Sequence, residues 1–119
     1  MIITARTLLT QIVSDLNAFD EKYTDLFALD ATVSDVASGQ MRTGKSDIKS
    51  YFKQYFIDFS VQTSVNKIND LVDNHVVADV TFHGDFTDDF APEGNVDAVL
   101  ELITNEDKVQ TMIIKLIVN

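Results

Sequence analysis

A chain of 119 residues, 45% of them hydrophobic, has the size of one domain around one core and is too apolar to be disordered. Nine basic residues against nineteen acidic ones leave a formal charge of −10; such a surface repels phosphate backbones and anionic lipids, so nucleic acid and membrane partners are not expected. With no cysteine, disulfides, thiolate nucleophiles and thiolate metal sites are excluded.

The first sixteen residues lack the apolar run and cleavage site of a signal peptide, and no segment approaches the roughly 20 apolar residues of a membrane span. A cytoplasmic location is therefore expected, which the lack of cysteine also fits. One proline, four glycines and no low-complexity tract leave nothing that reads as a linker, so residues 1–119 are expected to form a single domain.

Leu8, Leu9, Ile12, Val13, Leu16 and Phe19 recur at three- and four-residue spacing, which predicts an amphipathic helix over residues 4–18. A short second helix is expected over 21–28, with Tyr23, Leu26 and Phe27 inward and Asp20 as N-cap. Residues 32–37 alternate and are rich in β-branched types, so they read as a strand. Ser38-Gly39 turns it, and 41–43 form a short return strand. Gly44 opens a third helix carried by Ile48, Phe52, Tyr55, Phe56 and Phe59, the most aromatic element of the chain.

From Val61 onward the period changes to two. Residues 61–71 and 75–86 are predicted to pair around Asp73-Asn74, residue types that tolerate positive φ. Val76, Ala78, Val80 and Phe82 share one face of the second of these strands, and Val77, Asp79, Thr81 and His83 the other. Residues 96–104 and 108–118 form a second hairpin around Asn105-Glu106-Asp107. The last strand is apolar on both sides, which points to a central strand or one meeting another subunit. Helices in the first half and strands in the second predict an α+β domain: three helices on a strongly curved, mostly antiparallel sheet, with an internal pocket between the layers.

Leu16-Asn17-Ala18-Phe19-Asp20, then Leu26-Phe27-Ala28-Leu29-Asp30-Ala31-Thr32-Val33-Ser34-Asp35, then Gly44 followed by Ile48 and Phe52, resemble the nuclear transport factor 2-like superfamily. The likeness is to its branch of ketosteroid isomerases and SnoaL-like polyketide cyclases. Phe82-His83-Gly84 to Phe90, a loop with Pro92 and Gly94, and Lys108-Val109 agree with it, so it covers nearly the whole chain. The resemblance implies a cone-shaped domain with a pocket between helices and sheet, and a homodimer through the outer face of the sheet. It also implies that Asp35 stands where the ketosteroid isomerases keep the aspartate that moves the proton. Their oxyanion hole is a tyrosine and a protonated aspartic acid. The tyrosine's place falls near Ile12 and the acid's near Val99 or Leu100, so this chain departs from the pattern at both. Steroid isomerisation by that machinery is not expected, because the electrostatic partner of the developing enolate is missing.

Asp35 is the candidate acid or base: a carboxylate facing an apolar cavity would titrate near neutrality, whereas one at a strand end can simply cap a turn. Tyr23, Phe52, Tyr55 and Ile12 are candidate pocket-lining residues, with Tyr55 favoured over Tyr51 because it shares the face of Ile48, Phe52 and Phe59. His83 is assigned to the outer polar face and His75 to solvent beside a turn. Two histidines without helical i, i+4 spacing make no metal site. Asp85, Asp88, Asp89 and Glu93 lack the spacing of a calcium loop and read as a solvated loop. No cofactor motif is found, so none is expected. Two functions remain open: binding of a small apolar molecule, with isomerase- or cyclase-type proton transfer, or a non-catalytic association module of the same fold.

Overall fold

A computed structural model describes residues 4–34, 40–58, 60–84 and 95–117. Helix α1 (Ala5–Asn17) starts at Thr4, whose hydroxyl accepts from the Thr7 amide at 3.3 Å. Its inner stripe is Ala5, Leu8, Leu9, Ile12, Val13 and Leu16, all buried. The chain leaves α1 through Phe19 at φ 56°, and Asp20 caps the next turn by accepting from the Lys22 amide at 3.0 Å.

That turn, Glu21–Leu26, is a 3₁₀ helix and stops short of the expected end. Phe27 and Ala28, expected as helix, belong instead to strand β1 (Phe27–Ser34), which starts five residues earlier than the alternating pattern indicates. The reason is a break in β1: Phe27 pairs with Val109 and Thr32 with Thr111, so four residues on β1 lie opposite one on its neighbour. A bulge of that size hides the period of two. The turn at Ser38-Gly39 lies outside the described residues.

Strand β2 (Met41–Thr43) pairs antiparallel with the end of β1. Gly44 then opens α2 (Lys45–Phe52) at φ 87°, a region open to glycine, with its amide on the Ala31 carbonyl at 2.9 Å. The helix continues without a break into a π-helical turn, Lys53–Ile57. Phe59 lies outside the described residues. The inward residues are Ile48, Tyr51 and Phe52 of α2 and Phe56 of the π turn. Tyr51, three residues after Ile48, is 0% exposed while Tyr55 is only partly buried, the reverse of the expectation.

Four long strands follow: β3 (Gln62–Val72), β4 (His75–His83), β5 (Asn95–Asn105) and β6 (Lys108–Leu116). The sheet order is β2-β1-β6-β5-β4-β3, antiparallel throughout except for the parallel β1–β6 pair. Strand β6 is thus central, which accounts for apolar residues on both of its sides: Val109, Met112 and Ile114 face the helices, and Ile113 faces out. Val76, Ala78, Val80 and Phe82 are buried on the inner face as their alternation predicts. The register shifts after Val65, Asp70 and Ile103, irregularities of the kind that bend and twist a strand.

The two hairpins differ. Glu106 and Asp107 both hold positive φ, 51° and 65°, between paired Asn105 and Lys108. Asp73 and Asn74, where positive φ was expected, do not adopt it. There the geometry is set by outside partners: the Asp73 carbonyl accepts from the Ala5 amide at 2.8 Å, and the Asn74 carbonyl from the Thr104 amide at 2.9 Å.

Candidate functional site

Between helices and sheet the core narrows to an internal cavity of about 10 Å³, measured as the space open to the centre of a water. That is room for roughly one water molecule. Helix α1 contributes Ile12, Val13 and Leu16, and α2 with its π turn contributes Phe52 and Phe56. The sheet closes it with Thr63, Phe82, Leu100, Met112 and Ile114. An internal pocket between the layers was expected; among the described residues rings take up most of this space. Phe52 and Phe56 meet at 5.1 Å between centroids, and Phe56 and Phe82 at 5.2 Å, edge to face.

Of the expected lining residues, Ile12 and Phe52 wall this cavity. Tyr55 does not; it packs on Tyr51 at 5.2 Å, farther out along α2. Asp35 lies outside the described residues, as do Asp85, Asp88, Asp89 and Glu93. The two places left open for the missing acid separate cleanly: Leu100 faces inward onto the cavity, while Val99 faces outward. The described walls carry one hydroxyl, that of Thr63, and are otherwise apolar.

Tyr23 stands one side chain away. It is 0% exposed, and its ring meets Phe52 edge to face at 5.3 Å. Its hydroxyl is buried without a hydrogen-bond partner, alone in this among the described residues. Burial, with the charge of Glu21 adding to it, pushes the phenol up to about 12. At any physiological pH it is neutral and able to donate.

Asn17 pins α1 to the sheet beside Thr63. Its side-chain oxygen accepts from the Thr63 amide at 2.7 Å, and its side-chain nitrogen donates to the Thr63 carbonyl at 3.0 Å. This holds one polar wall residue in place, a role that sequence spacing did not reveal. On the far side of the sheet His83 is exposed as expected and bonded to Asn95. His75, expected in solvent, is half-buried and paired with Glu101 across the strands. No group of three His, Asp or Glu among the described residues is arranged to hold a metal ion.

A second hollow, about 380 Å³ and open to solvent, lies where β1 bulges, between Leu29, Asp30, Lys45, Lys108 and Gln110. Three of its polar side chains are engaged: Lys108 Nζ donates to the Asp25 carbonyl at 2.6 Å and Gln110 to Asp30 Oδ1 at 3.2 Å.

No family model matches the sequence. No curated protein matches it either. Solved structures do match in shape. RV0760c from Mycobacterium tuberculosis, solved in complex with estradiol-17β-hemisuccinate, superposes with a TM-score of 0.80 at 15% identity, covering 92% of this chain and 91% of that one. An NTF2-like protein of unknown function from Cytophaga hutchinsonii gives 0.76 at 12% identity, over 98% and 93% of the two chains. The fold is that of the NTF2-like proteins. SalBIII, an epoxide hydrolase/cyclase-like enzyme with a role in pyran ring formation in the polyether salinomycin, shares it with a TM-score of 0.78 at 17% identity, over 94% and 89%. An NTF2-like fold at such low identity carries architecture and not chemistry. No helix among the described residues is long and apolar enough to cross a membrane.

Proposed function

We propose that this chain binds a small, largely apolar molecule between α1, α2 and the inner face of the sheet. The observation that carries this reading is the cavity wall, in which every residue but Thr63 is apolar and both layers of the fold take part. The π-helical turn supports it, since such turns recur at functional sites and here supplies Phe56 to the wall. The steroid derivative held by RV0760c, of like fold, supports the ligand class. Entry of a ligand larger than water requires the rings of Phe52, Phe56 and Phe82 to part.

Thermal unfolding with a panel of steroids, polyketides and aromatic ketones tests the proposal. At least one should raise the melting temperature, and Phe56→Ala, which vacates a ring, should respond more strongly than the parent. If no compound shifts either protein, the binding reading fails. In the reactive form of this reading Asp35 moves a proton on a carbonyl ligand. Its neighbour Ser34 accepts a hydrogen bond from the amide of Ile114, a cavity wall, at 2.8 Å. Asp35→Asn should then abolish turnover and leave binding intact; equal turnover removes the base role.

The second reading is an association module. Val77, Val99, Ile103 and Ile113, partly exposed on the outer face, favour a homodimer through the sheet. Sedimentation should show a dimer that Ile113→Lys dissociates. A monomer at all concentrations rules it out.

A further inference from the structure

Three features of the interior converge on Phe52. It walls the apolar cavity, it precedes the π turn directly, and its ring is the face against which Tyr23 packs. In the same interior the Tyr23 hydroxyl is buried with nothing to bond. A phenol can donate one hydrogen bond and accept others, and leaving it unmet in an apolar interior is destabilising. Folded proteins rarely leave such a group unmet without a use for it. Removing the oxygen would give phenylalanine, which suits the neighbouring ring of Phe52 better.

We propose that the Tyr23 hydroxyl is the hydrogen-bond donor for the ligand, and that the ligand is an apolar molecule bearing a carbonyl oxygen. The inference rests on the binding reading above and deepens it. The ligand's body takes the space of the parted rings, and its oxygen meets the phenol of Tyr23, whose ring packs on the cavity wall at Phe52. Because the phenol stays neutral through the physiological range, the donor is always present. A carbonyl supplies the acceptor the hydroxyl lacks, whereas a hydrocarbon of the same shape leaves it unmet and is discriminated against.

Matched probe pairs test this in the intact protein: benzophenone against diphenylmethane, and α-tetralone against tetralin. Wild type should bind each ketone more tightly than its hydrocarbon partner. Tyr23→Phe should bind the ketones roughly fivefold more weakly, erasing the preference, with hydrocarbon affinity unchanged. Its ligand-free melting temperature should equal or exceed that of wild type, because an unpaired group has been removed. A Tyr23→Phe protein that keeps the ketone preference overturns the donor role while the binding reading stands. A lower ligand-free melting temperature shows that the hydroxyl already has a partner, which also overturns it. Wild type blind to all four probes overturns the binding reading and this inference together.

Discussion

At the end of α1 the Asn17 carboxamide imitates a peptide unit, giving and receiving one hydrogen bond each with the backbone of Thr63 at the outer edge of β3. Asn17→Ala leaves a partly buried amide and carbonyl without partners and should cost about 1–3 kcal/mol. Urea unfolding should show a lower midpoint at unchanged slope. Tyr23 gives a second residue-scale expectation. Its phenol ionises near pH 10 in an unfolded chain and at about 12 in the fold. The folded value is the higher one, so the contribution is fully present below pH 10 and is lost as pH rises toward 12. The loss amounts to roughly 3 kcal/mol. Urea midpoints taken between pH 8 and 11.5 should fall faster for wild type than for Tyr23→Phe; parallel curves would mean the phenol is hydrated.

Among the elements, α2 is the one whose phase matters most to the interior. The π turn Lys53–Ile57 behaves as a one-residue insertion, and Gln54 within it is exposed. Deleting Gln54 should return the helix to regular spacing with Tyr51, Phe52 and Phe56 still inward. We expect a folded protein melting within about 5 °C of wild type. Loss of fold on deletion would show that the π turn is structurally required. This element also shows where sequence reading stops. Alternation in β4 and the three- and four-residue recurrence in α1 locate buried faces correctly, because in regular elements burial follows the period. Tyr51 and Tyr55 exchange roles, because both stand at helical spacing from Ile48 and the pattern alone does not choose between them. The start of β1 is missed because its bulge masks the alternation. Positive φ falls at Glu106 and Asp107, while Asp73 and Asn74 are held by contacts with Ala5 and Thr104 that no local pattern encodes.

For the molecule as a whole, ten excess negative charges on a small domain repel one another. Raising salt from about 10 to 150 mM shortens the screening length from roughly 30 to 8 Å and should raise the melting temperature by about 2–5 °C. A fall instead would mean that exposed pairs such as Arg6–Asp70, in which the guanidinium hydrogen bond holds the carboxyl below its usual range, outweigh the repulsion. At this scale the α+β layering was legible in the order of the elements, and the two-sided apolarity of β6 offered its central place as one of two readings. The parallel pairing of β1 with β6 was not, since strand partners far apart in sequence leave no local signature.

That same pairing has a bearing on biosynthesis. The sheet's middle member is the last of the described strands to be made, so β1 and β2 emerge before the strand that joins them to β3, β4 and β5. Until residue 116 is free of the exit tunnel, Phe27 and Val33 lack the strand that covers their edge. Early-made aromatic surface must wait, and truncated chains ending before Lys108 should be captured by chaperones rather than settle into a smaller fold.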